Sequence, residues 1–585
     1  INEKITIEET LKAIKLWDLD QPNLYYLKVH IIQEEKIIDK HRATFGFREV
    51  EFTNKGFYLN GKKVKIRGLN RHQSFPYVGY AMPKSAQYKD AEILKYDLGV
   101  NAVRLSHYPQ SNHFMDRCDE IGLLVFDEIP GWQHVGDKQW QDIALENVRE
   151  MILKDMNHPS VFIWGVRINE SQDYDDFYKR TNALARELDD SRPTGGVRCI
   201  ANSNVFEDVY TYNDFSHTGN NKGLENKKEI TKTDKPYLVT EYNGHMFPTK
   251  KFDNESRRIE HALRHLNVLE AMEKDDEISG AFGWCMFDYN THKDFGSGDK
   301  VCYHGVMDMF RIPKYAAYVY QSQQDKIPVM HIASSFNIGE YDGSILEDIH
   351  VFTNCDFIKL YKNDEYINTF YPNKEKYPNI PHPPIVIDDL VGDAMKEGES
   401  FSDKDGETIK RLMIKASKTG RKLGIMDTLT MGRLFLKYKM NMADAEKLYT
   451  KYFGGWGTSA IQYRFEGYIG KELVLEARKG QVRDTRLKMI VDENKLVEDI
   501  TFDTTRVIIK LVDGYGNDLI YGNDTIIVET KGPIEVIGPK VLSLIGGSIG
   551  FWVKTAGKSG SGKIIVKSER FGNIEKVIDI RKIEC

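Results

Sequence analysis

A (β/α)8 barrel flanked by β-sandwiches is the fold class that this 585-residue sequence predicts, and three observations carry it. Strand-like and helix-like patterns alternate from Phe57 to about Gln324, the mark of a parallel α/β domain. Eight short apolar runs fall in that region, enough to close a barrel, and two of them end in Glu170 and Glu241. On both sides of the region strand patterns recur without alternating helices, as in small sandwiches.

The elements follow in order. Residues 1–52 contain the alternating runs Leu24–Ile32 and Arg42–Arg48, too short for a complete sandwich and read as the C-terminal part of one. Residues 53–325 form the barrel. Its strands are read at Lys63–His72, Asn101–His107, Leu123–Pro130, Ser160–Glu170, Thr194–Ile200, Val209–Asn213, Pro236–Gly244 and Ile278–Asp288. Helices are expected between them, at Lys84–Leu98, Asn112–Ile121, Trp140–Met156, Tyr174–Leu188 and Glu255–Lys274. Residues 326–387 are expected to form a small sandwich whose exit is marked by prolines. Residues 388–456 switch to helical periodicity and read as an inserted or appended helical segment, and 457–585 as a C-terminal sandwich.

Composition narrows the class of protein. At roughly 150 residues per domain the chain holds about three or four units. Hydrophobic residues at 41% and charged residues at 29% are those of a globular protein, and no apolar run approaches a membrane span. A net charge of −6 without a long basic block argues against a nucleic-acid partner. Six cysteines scattered without ligand spacing favour free thiols in a reducing compartment, so a cytoplasmic protein is expected. The chain opens on Ile1 and runs directly into foldable sequence, which reads as a cut; any signal peptide would be invisible behind it.

Carboxylates on two strand tips of one barrel suit glycoside hydrolysis, where one group protonates the leaving oxygen and the other attacks the anomeric carbon or activates water. Periodicity does not say which glutamate does which. Asn169, beside Glu170, is suited to hydrogen-bond a sugar 2-hydroxyl; its bland alternative is a strand-end cap.

Five motifs recur in order: Arg67–His72, Asn101–Pro109, Phe126–Glu128, Asn169–Glu170 and Thr240–Tyr242. Together they resemble the corresponding stretches of glycoside hydrolase family 2, the family of β-galactosidases and β-glucuronidases. Trp17–Tyr25 with Gly46–Arg48 resembles the end of the immunoglobulin-like domain that precedes the barrel in that family, and the last hundred residues resemble its C-terminal immunoglobulin-like modules. The family's N-terminal jelly-roll domain has no counterpart in this sequence.

The resemblance implies a retaining exo-β-glycosidase acting on terminal β-linked sugars of an oligosaccharide or glycoside, with Glu170 as general acid/base, Glu241 as nucleophile, and β-galactosides as the first choice of substrate. A β-glucuronidase or β-galacturonidase is the alternative within the class; a non-catalytic carbohydrate-binding barrel is the alternative outside it. Crowding of two like charges is expected to leave one proton on the pair, assigned to Glu170.

Further substrate-binding candidates are His72, Arg104, His107, Trp284 as an apolar platform, Asp288 as an acceptor, and Tyr212, at the place of a family tyrosine that hydrogen-bonds the nucleophile. For Tyr212 core packing is the competing reading, and for the two histidines a structural role. No cofactor is expected, and no metal: Asp127–Trp132 lacks the acidic-plus-histidine spacing with which the best-known β-galactosidases of the family hold magnesium. Asn220–Gly223 resembles the tetrad with which glucuronidases read a sugar carboxylate but precedes strand seven instead of following strand eight, so it reads as a polar turn. His292 and Lys293 in the loop after strand eight read as solvated. A homo-oligomer is left open.

Overall fold

The computed structural model describes residues 6–216, 223–244, 247–293, 296, 298–336, 347–419, 423–453, 461–480 and 484–583. The chain divides into two compact units, the first comprising 1–74, 80–246 and 271–286, the second 75–79, 247–270 and 287–585.

The first unit holds eight parallel strands: β1 (Ile66–Arg71), β2 (Ala102–Leu105), β3 (Leu124–Glu128), β4 (Val161–Gly165), β5 (Thr194–Gly195), β6 (Tyr210–Asp214), β7 (Tyr237–Tyr242) and β8 (Ile278–Gly283). They pair in the order β5-β4-β3-β2-β1-β8-β7-β6. The remaining gap is bridged where Arg198 pairs with Tyr212 and the Asn213 N–H donates to the Arg198 carbonyl at 2.8 Å. Four helices follow the first four strands: Lys84–Glu92, Asn112–Ile121, Lys138–Asp155 and Asp175–Leu188.

Alternate residues of the strands point inward and fill the barrel in layers. The lower layers are apolar, with Ile66, Ala102, Leu124, Phe126, Phe162, Val209, Leu238 and Phe282 in one buried cluster. Trp17, Phe57 and Leu59 belong to the same cluster, so the N-terminal strands plug one end of the barrel. Where alternation carries the inward face upward it meets Asn70, Arg104, Glu128 and Asn213, and the interior turns from apolar to ionic.

Before the barrel, Tyr25–Gln33 and Lys36–Phe45 form an antiparallel hairpin, and three short strands spanning 50–64 form a small sheet.

The second unit contains two sandwiches and a helical module. Strands at 330–332, 349–353 and 385–387 face a sheet of 365–370, 357–362, 462–469 and 472–480 across a shared core that includes Ile349, Val351, Leu360, Ile385 and Phe465. Pairing of Phe357–Lys362 with Gln462–Ile469 therefore assigns residues 462–480 to this first sandwich, not to the C-terminal one expected from 457 onward. Sequence order alone hides this, because the helices Ala394–Gly398, Asp403–Lys418, Ile425–Tyr438 and Met442–Phe453 intervene with a core of their own. The C-terminal sandwich packs a four-stranded on a five-stranded sheet drawn from 485–582. Among the described residues no helix is long and apolar enough to cross a membrane.

Candidate active site

Glu170 and Glu241 converge at the C-terminal mouth of the barrel, each by a local departure from regular structure. Along β7 strict alternation would put Leu238 and Thr240 inside and Glu241 on the outer wall. The β6–β7 register slips between Tyr212 and Asn213, so that Tyr212 opposes Val239 while Asn213 opposes Glu241. This bulge turns the consecutive residues Thr240 and Glu241 both toward Asn213. Glycines leave room for the carboxylates: a Cβ on Gly244 would fall 2.3 Å from Glu241 Oε1.

The regular part of β4 stops at Gly165, but its path continues in bridges. The Val166 N–H donates to Gly195 O at 2.9 Å, Asn169 pairs with Trp132, and the Glu170 N–H donates to Val197 O at 3.0 Å. Glu170 itself sits at φ +55°, a left-handed conformation that a glutamate adopts only where the surroundings impose it.

Asn213 joins the two. Its amide Nδ2 donates to Glu170 Oε1 at 3.1 Å and to Glu241 Oε2 at 3.3 Å, while its Oδ1 accepts from the Thr240 hydroxyl at 2.9 Å. The two carboxylate oxygens are thus no farther apart than these two contacts laid end to end. Such closeness is compatible with the ~5–5.5 Å of retaining pairs.

Arg104 forms the floor. Fully buried, it grips Glu128 with Nε and Nη2, both at 2.9 Å, and donates to Asn70 Oδ1 at 2.8 Å and Asn169 Oδ1 at 2.9 Å. It reaches Glu241 Oε2 at 3.5 Å. Burial pushes the Glu128 carboxyl up, yet Arg104 and then His107 outweigh it and leave Glu128 below its ordinary range. A carboxylate already matched by a guanidinium does not fit a divalent cation, and among the described residues no cluster of three His, Cys, Asp or Glu side chains has the geometry of a metal site.

His107 Nδ1 lies 2.9 Å from Glu128 Oε1, and burial holds the imidazole below its ordinary range and hence neutral. Its ring stacks on Trp284, with centroids 5.5 Å apart and planes 8° from parallel, and His72 meets both rings edge-on. His72 Nδ1 contacts the Tyr108 hydroxyl at 3.2 Å. Trp284 is itself almost fully buried, so in this structure His107 covers a face of the expected sugar platform. On the outer rim Glu170 Oε2 accepts from Trp132 Nε1 at 3.0 Å and from Gln133 Nε2 at 3.3 Å, and Trp132 is 59% exposed.

Two further expected site residues, Tyr212 and Asp288, make other contacts. Among the described residues no hydrogen bond joins Tyr212 to Glu241; side chains alternate along β6, so Tyr212 falls on the face opposite Asn213. Burial, then Glu225 and Asp214, push its phenol up. Asp288 belongs to the second unit, where its Oδ1 accepts from Lys314 Nζ at 2.6 Å and from the Gly305 N–H at 2.9 Å; it is an ion-paired carboxylate with burial pushing it up to about 7. His292 and Lys293 are exposed, and Asn220, Asn221 and Lys222 of the Asn-Asn-Lys-Gly stretch lie outside the described residues.

Residues that the sequence reading passed over are Asn70, Glu128, Trp132, Gln133 and above all Asn213. For Asn213 a signal existed: counting by twos from the apolar Val209 puts Thr211 and Asn213 on the inner face and Tyr212 on the outer.

The proton of the pair also differs from expectation. Burial first, then the charge of Glu170, push the Glu241 carboxyl up to about 8, so in the ligand-free site the deeper carboxyl draws the shared proton. Glu241 is 3% exposed, while Glu170 is half-buried on the rim.

Comparisons with known proteins point the same way as this geometry. A family model described as "Glycosyl hydrolases family 2, TIM barrel domain" matches residues 50–329, and a second, "Glycosyl hydrolases family 2", matches residues 1–48. The β-galactosidase of Thermoanaerobacterium thermosulfurigenes is 47% identical over 545 residues, covering 92% of this chain and 68% of that protein. The β-galactosidase of Thermoanaerobacter pseudethanolicus is 42% identical over 572 residues, covering 96% and 68%. The chain thus spans about two thirds of the length of these two relatives. Among solved structures, a β-glycosidase from Bacteroides vulgatus superimposes with a TM-score of 0.71 at 19% identity over 97% of this chain and 71% of its own, a likeness of fold.

Proposed function

The chain belongs to glycoside hydrolase family 2, and from that premise we propose that it removes terminal β-D-galactosyl residues with retention of configuration, Glu241 acting as nucleophile and Glu170 as acid/base. The observation that carries the reading is the single Asn213 amide touching both carboxylates, which holds them in the close spacing that a retaining pair uses. The choice of galactose rests on the similarity to these two β-galactosidases.

Burial separates the roles. Glu241, at the floor beside Arg104, can reach an anomeric carbon only from below, and Arg104 supports its ionised form. Positive charge developing on the sugar ring favours the same ionisation, so the pair's proton passes to Glu170 as the glycosidic bond breaks. Glu170, on the rim with access to water, donates that proton to the departing oxygen; the bond from C1 to the aglycone breaks as the bond from C1 to Glu241 forms. In the second half Glu170 removes a proton from water, the water oxygen attacks C1, and Glu241 leaves as carboxylate. Asn169, oriented by Arg104, is placed to meet the sugar 2-hydroxyl, a contact that strengthens as the ring flattens.

A 2-deoxy-2-fluoro galactoside with a good leaving group tests the assignment. Mass spectrometry is expected to find the sugar on the peptide spanning residues 236–244, and Glu241→Ala to abolish both label and turnover. Label on Glu170 would reverse the roles, and product of inverted configuration by NMR would overturn the mechanism. A panel of nitrophenyl β-glycosides is expected to rank the galactoside first; a faster glucuronide would overturn the substrate.

A further inference from the structure

The second unit contains a half-open cavity of about 300 Å3, none of whose lining residues belongs to the carboxylate cluster of the barrel. Six cations line it: Lys251, Arg258, Lys314, Lys479, Lys488 and Lys510. Four have acidic partners. Lys251 pairs with Asp308 at 2.7 Å, Lys314 with Asp288 at 2.6 Å, Lys510 with Asp518 at 2.8 Å, and Arg258 with Glu255 at 4.0 Å. The side chains of Lys479 and Lys488 have no hydrogen-bond or ion-pair partner among the described residues.

Lys479 is the informative one. It is half-buried, and desolvation by the surrounding wall pushes its ammonium below the ordinary lysine range. Asp513, the carboxylate that acts on it most strongly, spends Oδ1 on the N–H groups of Tyr515 and Asn517 and Oδ2 on the Asn517 amide. An unmatched ammonium drawn partly out of water is favoured when an anion joins it. The same wall carries a further unsatisfied polar atom, the buried Nε2 of His331, whose ring lies parallel to Tyr318 at 3.5 Å. Burial and then Lys479 hold that imidazole well below its ordinary range, so it stays neutral.

Charge and volume together select the ligand. Two unmatched ammoniums suit a phosphate monoester, which carries about −1.5 to −2 at neutral pH, better than a carboxylate. The cavity has the volume of roughly ten waters at about 30 Å3 each, more than an inorganic phosphate fills, and lies at the lower end of small-molecule sites. Its remaining wall is partly aromatic and aliphatic, with Tyr315, Tyr318, Ile332 and Ile490. We propose that this cavity binds a small organic phosphate, neutralised by Lys479 and Lys488, with its carbon body against the Tyr315 and Tyr318 side of the wall.

Calorimetric titration of the full chain with sorbitol 6-phosphate, inorganic phosphate and sorbitol, at ionic strength matched with chloride, tests this. Saturable binding is expected for sorbitol 6-phosphate, weaker binding for inorganic phosphate and none for sorbitol. Lys479→Met and the exposed Lys488→Met are each expected to weaken sorbitol 6-phosphate about tenfold, Lys479→Arg to retain it, and Glu241→Gln to leave it unchanged. Because Lys479→Met deletes an unmatched, partly desolvated charge, its melting temperature without ligand is expected to equal or exceed that of the parent, whereas loss of a purely structural lysine would lower it. No saturation up to roughly 50 mM, or binding untouched by both methionine variants, would overturn the site; equal affinity for inorganic phosphate would overturn its organic ligand; loss of binding in Glu241→Gln would place the ligand in the barrel.

Discussion

At the scale of single residues the chemistry depends on one amide and one proton. Asn213 is the only side chain among the described residues that donates to both Glu170 and Glu241, so Asn213→Ala is expected to lower kcat by about 10²–10³, the usual cost of one preorganised donor, with a smaller change in KM. Steady-state kinetics on an aryl galactoside checks it; a loss confined to KM would assign Asn213 to ground-state binding. The proton is lost from the pair as pH rises through about 8, so kcat/KM for a poor leaving group is expected to fall above that pH. Glu170→Gln removes the charge that, after burial, does most to raise Glu241, and is expected to bring the Glu241 titration down in a pH profile taken with an activated phenol.

Stability carries the same signature. Glu241 ionises near 8 in the folded chain and near 4.5 when unfolded, so the native state holds the proton more tightly. Its favourable contribution is complete below about 4.5 and disappears as pH rises through 8. Glu241→Gln cannot ionise, and its melting temperature relative to the parent is expected to climb between pH 5 and pH 9; a difference independent of pH would refute the shift.

At the scale of elements the site depends on how β6 and β7 meet. The bulge between them brings Glu241 inward, and the register of β6 is held by the Arg198 carbonyl that receives the Asn213 N–H. Arg198 is anchored by a fully buried ion pair with Glu207 at 2.6 Å and lies over the Tyr210 ring. Breaking such a pair strands a charge, so Arg198→Met is expected to destabilise the barrel by about 3–5 kcal/mol. Adding Glu207→Leu is expected to restore most of that loss in denaturant titrations, because the stranded carboxylate is then gone.

At the scale of the molecule each unit carries its own core, and Glu170, Glu241, Asn213 and Arg104 lie within the first. The hairpin of residues 25–45 exposes a run of apolar side chains: Leu27, Val29, Ile31, Ile32, Ile37 and Ile38 are each about half exposed. Apolar side chains along an exposed two-stranded edge favour pairing between chains. Concentration-dependent association is therefore expected in sedimentation velocity, and Val29→Lys with Ile31→Lys is expected to abolish it without loss of activity.

Much of this was legible from residue order. Alternating apolar runs are a property of neighbours in sequence, and they mark the barrel, its eight strands and the two glutamates that end two of them. Family motifs carried the catalytic assignment further than periodicity could. Contacts between residues far apart in the chain were not legible: the Asn213 bridge, the grip of Arg104 on Glu128, the joining of 462–480 to strands before the helical segment, and the place of the proton. Each of these depends on a register slip, a strand pairing or a depth of burial, quantities that exist only once the chain has closed on itself. A sequence prescribes which side chains alternate, but a single bulged residue decides which of them face the substrate.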